Sequence, residues 1–294
     1  MIPFTIGGIQ LRLAAGGDNV SMMAQALEAL MHRFPSVRMV LFSELAAFGP
    51  SPAYAQLPGG PTETAFREMA ARHSLWLLPG SYFEREDSAV YNTTLVIDPE
   101  GAIVARYRKM FPFRPFEIGV EPGKDFCVFD VPEIGRFGVS ICYDMWFPET
   151  TRTLAVMGAE VILHPTMTDT IDRDVELAIA RASAATNQCY FFDINGAAGG
   201  GVGRSIVIDP SGYILHEAGS GSELIPIEID LARVRRERAT GLRGLGQVLK
   251  SFRDRPVEFD VYRREKFDQS RLDALGPLVK PERGGRTGLE SIND

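Results

Sequence analysis

The chain has 294 residues, of which 45% are hydrophobic and 23% are charged, and its formal net charge is −7. This length suits one large α/β domain or two small ones. The acidic balance and the lack of a basic stripe exclude a nucleic-acid partner, and the lack of a long apolar run or signal-like start predicts no membrane association.

Strand-like and helical patterns alternate in the first part of the chain. Apolar residues recur at helical spacing between Asn19 and Phe34, with Asp18 or Asn19 as the expected cap. The flanking strands make a parallel βαβ unit. The predicted elements are a strand (4–13), a helix (19–34), a strand (37–42), a loop (49–61), a helix capped by Thr62 (62–73), a strand (75–82) and a hairpin (90–98 and 102–107).

The second part of the chain repeats this organisation. Asp209-Pro210-Ser211-Gly212 repeats the turn chemistry of Asp98-Pro99-Glu100-Gly101, and each turn lies between β-like runs. We therefore expect two similar halves, each with one sheet covered by helices. The predicted elements are an insertion (110–124), a hairpin (126–131 and 135–141), a helix (149–157), a strand (160–163), a helix (172–187), strands (189–194, 205–208, 213–216 and 223–229) and a basic helix from 231.

The stretch around Cys142 combines a strand, a sharp turn and a helix start. Residues 138–141 are apolar, and Pro148-Glu149 is a favourable helix opening. The thiol thus lies at the carboxyl end of a strand, where α/β sheets present reactive groups. A cysteine near a helix N-terminus can act as a nucleophile, whereas most free cysteines are inert core residues. These residues alone leave both interpretations open.

Three charged residues favour the catalytic interpretation. Glu44 ends the apolar run 39–43, and Lys109 ends the strand-like run 103–108. Glu117 follows Lys109 by eight positions, in the insertion. Strands that end at one edge of a sheet bring their final residues together, so we expect Glu44, Lys109 and Cys142 to meet. They would supply a base, an oxyanion stabiliser and a nucleophile.

The motifs that contain these residues, taken in chain order, resemble those of the nitrilase, or carbon–nitrogen hydrolase, superfamily, and the resemblance spans positions 4 to 230. The resemblance implies a four-layer αββα sandwich over residues 1–240 and a C-terminal extension over 241–294. The segment from Lys109 to Glu117 is most similar to the aliphatic amidase and formamidase branch, with N-carbamoyl amidohydrolases second. The segments that carry the resemblance are Phe42-Ser43-Glu44, Tyr107-Arg108-Lys109, Ile141-Cys142-Tyr143-Asp144 and Phe147-Pro148-Glu149.

The resemblance implies a role for each residue in the hydrolysis of a small-molecule amide. Cys142 would form a thioester, and Glu44 would transfer protons. Lys109 and the Tyr143 N–H would stabilise the oxyanion, and Glu117 would orient substrate or water. The resemblance also implies that no metal or organic cofactor is required, and the four histidines lack metal-ligand spacing. Substrate contacts are expected from Tyr54, Tyr143, Trp146 and Thr166.

Several alternatives remain open at this point. The same pocket would suit a nitrilase, and an N-carbamoyl amidohydrolase would need a cation for the substrate carboxylate. A catalytically silent binding protein would keep the residues without the geometry, and a thiol redox sensor would need Cys189 near Cys142. The candidate cations are Arg114, Arg173 and Arg204.

The remaining features receive structural interpretations. Cys127 and Cys189 are predicted to be core thiols, and three cysteines without a secretory signal favour reduced thiols in the cytoplasm. The glycine-rich segment 196–203 lacks the ending of a phosphate loop and is predicted to be a connection near the pocket. Asp144 is either a second acid or a helix cap. The aromatic segment 252–262 is expected at the interface of a homodimer or larger homo-oligomer.

Overall fold

Two β-sheets pack face to face at the centre of this computed structural model, which describes residues 3–263, 265–266 and 268–280. The first sheet contains β1 (Phe4–Gln10), β2 (Val37–Phe42), β3 (Trp76–Leu78), β4 (Tyr82–Glu86), β5 (Ala89–Ile97), β6 (Ile103–Arg108) and β13 (Glu223–Ile229). The second contains β7 (Cys127–Val131), β8 (Gly135–Val139), β9 (Val161–Thr166), β10 (Tyr190–Asn195), β11 (Ile206–Ile208) and β12 (Ile214–Glu217).

Helices cover the outer face of each sheet. Met23, Leu27 and Leu30 bury one face of a helix against the first sheet, as their spacing predicts. Ala180 and Ala184 do the same against the second sheet. The helices are α1 (Val20–Arg33), α2 (Pro61–His73), α3 (Pro148–Val156), α4 (Arg173–Asn187), α5 (Leu231–Thr240), α6 (Val248–Asp254) and α7 (Ser270–Asp273).

A single apolar layer joins the inner faces of the two sheets. Leu41 of the first sheet and Leu163 and Phe192 of the second belong to one buried cluster. The sheets approach closely at their centre, since a Cβ atom on Gly8 would lie 2.4 Å from Ile194 Cδ1. The order helix, sheet, sheet, helix confirms the four-layer αββα sandwich.

The central strands of both sheets run parallel. In the first sheet β1 pairs with β2 and β2 with β3, and in the second β8 pairs with β9 and β9 with β10, all in parallel register. The predicted βαβ unit and the hairpins β5–β6, β7–β8 and β11–β12 are present. Parallel strands put their carboxyl ends on one edge, which is where the candidate site lies.

The predicted strand over 75–82 is wrong, because it is interrupted to form β3 and β4. Gly80 has φ +73° at the interruption, and a Cβ atom there would lie 1.8 Å from the Ser43 carbonyl oxygen. Only glycine fits this approach without displacing the backbone. The close contact supports the segment that leads into Glu44.

The first residues of α1 and α2 test the two predicted helix caps. Asn19 occupies the N-cap position of α1 but its side chain makes no cap bond, and Asp18, one residue earlier, accepts a hydrogen bond of 2.8 Å from the Val20 N–H at the start of the helix. Thr62 was the wrong residue for α2, which begins at Pro61 after Gly60. Proline suits the first helical position because its missing N–H would have no helical acceptor there.

The chain after residue 240 differs from the irregular segment that we expected, because α6, a short 3₁₀ helix (Asp260–Tyr262) and α7 form within it. Large apolar side chains of this segment, including Phe252, Phe259 and Val261, are exposed. Residues 281–294 of the predicted extension lie outside the described residues. Within the described part, no helix has the length and apolarity needed to cross a membrane.

Candidate active site

Glu44, Lys109 and Cys142 lie together where strands of both sheets end. Glu44 follows β2, Lys109 follows β6, and Cys142 follows β8 after a short connection. Lys109 Nζ is 2.9 Å from Glu44 Oε1, and both side chains are almost fully buried. The Glu44 N–H donates a hydrogen bond of 3.1 Å to the Thr166 carbonyl at the end of β9. The site therefore spans the junction of the two sheets.

Glu117 joins this group from the insertion between β6 and β7. Its Oε2 lies 2.8 Å from Lys109 Nζ, so the ammonium bridges two carboxylates. The Glu117 N–H donates to the Phe113 carbonyl at 2.8 Å, and the Phe113 N–H donates back to the Glu117 carboxylate. Arg114 Nη1 donates to the Glu117 carbonyl at 2.8 Å. The local turn thus fixes both the backbone and the carboxylate of Glu117.

Asn92 is a site residue that the sequence analysis missed. It lies on β5, and its Nδ2 donates to Glu44 Oε1 at 2.8 Å and to Glu117 Oε1 at 3.1 Å. A signal was present in the sequence, since Asn92 interrupts a strand that is otherwise apolar or β-branched. A fully buried amide in such a strand needs polar partners. Asn92 finds them in the two carboxylates.

Cys142 has an unusual backbone conformation. Its φ is +47°, a left-handed value that is uncommon for a residue other than glycine. It is also the first residue of a 3₁₀ helix, Cys142–Trp146, which forms the turn that the sequence predicts. Such strained residues persist only where the surroundings hold them and occur often at functional sites. The strained residue here is the candidate nucleophile itself.

The pKa values of Cys142 and Glu44 shift in the same direction. Burial raises the pKa of the Cys142 thiol well above its usual range, and the negative charge of Glu44 adds to this while Lys109 opposes it. Burial also raises the pKa of Glu44, where Lys109 opposes the shift and Glu117 reinforces it. The resting thiol is therefore protonated, and Glu44 is the adjacent group able to accept its proton.

Lys109 and Glu117 are held in their charged forms. Burial acts to lower the pKa of Lys109, but Glu44, Cys142 and Glu117 together raise it well above its usual range. Burial acts to raise the pKa of Glu117, but the charge and hydrogen bond of Lys109 and the Phe113 N–H bring it below the ordinary value. The two carboxylates therefore differ: the pKa of Glu44 is raised and that of Glu117 is lowered.

Aromatic rings surround the turn after the thiol. The Tyr143 ring lies 4.9 Å from the ring of Phe113 and 5.4 Å from that of Phe147, between centroids. Trp146 is more distant from Tyr143, at 6.2 Å, and packs partly against the core beneath α3 and α4. Tyr143 and Phe113 therefore join the nucleophile turn to the insertion that carries Glu117.

The other two predicted substrate contacts occupy different settings. Tyr54 lies in a short 3₁₀ helix, is 42% exposed, and is positioned beside Gly16. The Thr166 carbonyl accepts the hydrogen bond from Glu44, and its side-chain hydroxyl is buried with no hydrogen-bond partner among the described residues. Tyr54 is thus partly exposed, whereas the Thr166 backbone contacts Glu44 directly.

A buried ion-pair cluster lies behind the nucleophile turn. Arg173 Nη1 is 3.1 Å from Glu176 Oε2 and 2.9 Å from Asp193 Oδ2. Thr168 Oγ1 donates to Glu176 at 3.0 Å. Burial raises the pKa of Asp193 to about 7, with Arg173 opposing the shift. The negative charge of Glu176 contributes to the raised pKa of Cys142. The guanidinium of Arg173 is therefore already matched by two carboxylates.

The other two candidate cations are also engaged. Arg114 Nη1 donates to the Glu117 carbonyl at 2.8 Å, and its Nη2 donates to the Val120 carbonyl at 2.5 Å. Arg204 lies near the surface, where it pairs with Asp174 at 2.5 Å and with Glu217 at 3.3 Å. Each of the three predicted cations therefore has partners within the protein.

Asp144 caps the 3₁₀ helix Cys142–Trp146, because its Oδ2 accepts a hydrogen bond of 2.8 Å from the N–H of Ile141, the residue before that helix. It does not cap α3, which has no side-chain cap. The Asp144 carboxylate is buried and also accepts a hydrogen bond of 2.6 Å from the Tyr107 hydroxyl. Tyr107 lies on β6, two residues before Lys109. The acid next to the nucleophile is therefore tied to the strand that carries the lysine.

The predicted strand-end histidine, His164, is fully buried. Its Nδ1 lies 2.8 Å from Ser140 Oγ, and burial lowers its pKa to about 3. His164 is therefore neutral across the physiological range. Among the described residues, no group of three or more His, Cys, Asp or Glu side chains is arranged to hold a metal ion.

The glycine-rich segment 196–203 borders the site, as predicted. A small cavity beside Glu44 is lined by Leu13, Ser43, Met167 and Gly196, among others. Gly196 and its neighbours leave room there because they lack bulky side chains. The segment thus forms one wall of the space next to the candidate base.

The comparisons with known proteins decide the family. The family model for carbon–nitrogen hydrolases matches residues 9–239 of this chain. The chain belongs to the carbon–nitrogen hydrolase family, and so to the nitrilase superfamily. The predicted superfamily is confirmed.

Individual relatives of this carbon–nitrogen hydrolase carry different names. Omega-amidase NIT2 of Pongo abelii is 27% identical over 252 residues, which cover 80% of this chain and 91% of that protein. A nitrilase of Pyrococcus abyssi is 31% identical, covering 69% of this chain and 76% of that protein. The crystal structure of Saccharomyces cerevisiae Nit3 matches with a TM-score of 0.73 at 26% identity, covering 81% of this chain and 93% of that chain.

Proposed function

We propose that this enzyme hydrolyses small uncharged carboxamides through a thioester on Cys142. The observation that carries the proposal is the buried chain Glu44–Lys109–Glu117, joined by contacts of 2.9 and 2.8 Å next to the thiol. It combines a proton acceptor, a fixed positive charge and a nucleophile in one water-poor site. These are the groups that acyl transfer through a covalent intermediate requires.

Acylation begins with proton transfer from Cys142 to Glu44. The sulfur attacks the amide carbonyl carbon, and negative charge develops on the carbonyl oxygen. Lys109 and the Tyr143 N–H stabilise this charge, since an N–H in the first turn of a helix has no acceptor within the helix. Collapse of the intermediate breaks the carbon–nitrogen bond, and Glu44 gives its proton to the departing nitrogen, which leaves as ammonia.

Deacylation uses the same base for water. Glu44 takes a proton from a water molecule whose oxygen attacks the thioester carbon, and Lys109 again stabilises the oxyanion. The carbon–sulfur bond breaks, and the proton passes to Cys142, which restores the thiol and releases the carboxylic acid. Glu117 orients substrate or water, and its charge supports the raised pKa of Glu44.

The charges around the thiol favour an uncharged substrate. Arg173 is matched by Glu176 and Asp193, and Arg204 pairs with surface acids. Arg114 donates to carbonyls of its own loop. A carboxylate on the substrate would therefore meet the negative charges of Glu44 and Glu117 without a dedicated partner. This argues for a simple amide rather than an N-carbamoyl amino acid or the monoamide of a dicarboxylic acid.

A nitrilase is the second candidate, and the resemblance to a protein of that name supports it. The two reactions share the attack by Cys142 but differ in the adduct, which is a thioimidate for a nitrile.

The three unpaired cysteines support a reducing compartment, and we propose the cytoplasm.

The test is release of ammonia from matched substrates by the full-length enzyme. Butyramide, succinamate and butyronitrile have similar size and differ in charge or functional group, and an N-carbamoyl amino acid completes the set. We expect butyramide to give the highest kcat/KM, at least about tenfold above succinamate. The reason is that the succinamate carboxylate would be repelled by the negative charges of Glu44 and Glu117. Turnover of succinamate or butyronitrile alone would contradict the proposal. Absence of turnover with every substrate, together with an inert thiol, would indicate a silent binding protein.

A further inference from the structure

The fully buried Asp144 carboxylate accepts three hydrogen bonds. Its Oδ2 accepts from the Tyr107 hydroxyl at 2.6 Å and from the Ile141 N–H at 2.8 Å. Its Oδ1 accepts from the Phe111 N–H at 2.8 Å. Hydrogen bonds to an ionised acceptor are shorter and stronger than those between neutral groups. The carboxylate is thus a well-satisfied anchor rather than a free acid.

The donors lie on either side of the proposed catalytic residues. Tyr107 and Phe111 are each two residues from Lys109, one before it and one after it. Ile141 immediately precedes Cys142, and Asp144 itself follows two residues later. Lys109 follows a strand of the first sheet, whereas Cys142 follows a strand of the second. One side chain therefore holds the two flanking backbones together across the sheet junction.

We propose that Asp144, as the ionised carboxylate, is a positioning residue that sets the distance between Lys109 and Cys142. This rests on the proposed roles of Lys109 and Cys142 in thioester formation. Asp144 itself touches neither the thiol nor the substrate. A misplacement of about 1 Å of a catalytic group can cost roughly 100-fold in rate, so a shared anchor has direct catalytic value.

The ionisation of Asp144 predicts that the reactivity of Cys142 depends on pH. Burial raises its pKa to about 6, and the lowering effects of Tyr107, the Ile141 and Phe111 N–H groups and Lys109 are smaller. The titratable or charged groups that face it are Tyr107 and Lys109, while its other partners are backbone N–H groups. A protonated carboxyl would bring its own hydrogen to a site that already holds three donors. The arrangement should therefore loosen as the pH falls through about 6.

Asp144→Asn is the direct test, because it keeps the shape and removes the charge. One oxygen acceptor becomes an NH₂ group that faces N–H donors. We expect kcat to fall about 100-fold, as for loss of one oxyanion donor, with KM changed less than about threefold. Alkylation of Cys142 by iodoacetamide should also slow about tenfold, because Lys109 no longer stabilises the thiolate in place.

Tyr107→Phe keeps the proposal testable if the Asn variant folds poorly. It removes one donor to the carboxylate, so the pKa of Asp144 should rise, and the acid limb of both kcat and the alkylation rate should move to higher pH by about half a unit. Tyr190→Phe is the matched control, since its hydroxyl only approaches Asp230 on another part of the fold. It should leave both pH profiles unchanged.

The alkylation readout separates this inference from the proposed function, because it needs no amide turnover. Slower alkylation in Asp144→Asn and a shifted acid limb in Tyr107→Phe support the inference even if no tested amide is a substrate. An unshifted limb in Tyr107→Phe, or normal kcat and alkylation in Asp144→Asn, would overturn it. A fall in thermal stability without either kinetic change would show a purely structural role and would also overturn it.

Discussion

The side-chain amide of Asn92 donates a hydrogen bond of 2.8 Å to Glu44 Oε1 inside the buried site. The same nitrogen donates to Glu117 at 3.1 Å, so one amide holds both carboxylates around Lys109. Asn92→Leu removes both donors while keeping the approximate volume. Because buried carboxylates would lose a partner, we expect kcat to fall about tenfold to 100-fold, measured by ammonia release.

Thr94→Val provides the control for that variant. Thr94 lies two residues further along β5, and its buried hydroxyl has no hydrogen-bond partner among the described residues. Removal of the hydroxyl should leave kcat within about twofold, because no bond is lost. Equal losses in the two variants would mean that the strand, and not the Asn92 amide, supports the site.

Cys142→Ala tests the nucleophile. The residue is 8% exposed and replacement by alanine keeps its Cβ, so the fold should persist while turnover falls by about 10⁴-fold or more. Intact-protein mass spectrometry of the wild type with a slowly hydrolysed amide should show an acyl adduct. Cys127 and Cys189 are controls, since burial raises the pKa of each thiol to about 12 and, unlike Cys142, neither is influenced by Glu44. An adduct mapped to either of them would refute the assignment.

Glu44→Gln and Glu117→Gln should fail in different ways. The Glu44 variant lacks the base, so both thioester formation and hydrolysis should stop. The Glu117 variant keeps the base and the thiol but misplaces the carbonyl or the water, so an adduct should form and persist. Pre-steady-state kinetics with mass spectrometry distinguishes these outcomes. Near-normal turnover in Glu44→Gln, with an unreactive thiol in Glu117→Gln, would reverse the roles.

The pH dependence of Cys142 alkylation should reveal the coupling between the two acids. Burial raises the pKa of Glu44, and the negative charge of Glu117 raises it further. Glu117→Gln removes that charge, so the pKa of Glu44 should fall, and the part of the acid limb of alkylation that reflects Glu44 rather than Asp144 should move to lower pH. An acid limb that stays in place or moves to higher pH would contradict this electrostatic account.

The exposed aromatic segment after residue 251 predicts self-association. Phe252, Phe259 and Tyr262 are 45%, 48% and 59% exposed. We expect these groups to bury against a second copy, so light scattering should report a dimer or larger. Phe259→Ser should weaken the assembly, whereas Val104→Ser, at a 47% exposed position on β6, should not. A wild-type monomer at micromolar concentration would refute the prediction.

Local sequence patterns predicted the elements that carry the site. The apolar runs that end at Glu44 and Lys109 are strands, and the turn at Cys142 lies where its flanking residues indicate. These patterns work because burial on a strand and the chemistry of turns are local properties. The break at Gly80 was missed, since its cause is a contact with the Ser43 carbonyl, which is distant in the chain.

The polar interior of the site was harder to predict. Asn92 and the pairing of Arg173 with Asp193 depend on contacts between elements that are far apart in sequence. A sequence shows which side chains can donate or accept, but not which partner each will meet. Asp144 illustrates this, because its position predicts the local cap that it forms, but not the hydrogen bond from Tyr107 on a strand of the other sheet.

The hydrogen bond from the Glu44 N–H to the Thr166 carbonyl has a consequence for how activity arises during folding. It joins Glu44, which lies two residues after β2 of the first sheet, to Thr166, the last residue of β9 in the second sheet. The predicted site therefore needs both sheets. A partly folded chain with one sheet formed would hold an ordinary thiol without its base or its cation. On the proposed mechanism, we therefore expect Cys142 to become reactive only once the two sheets have docked.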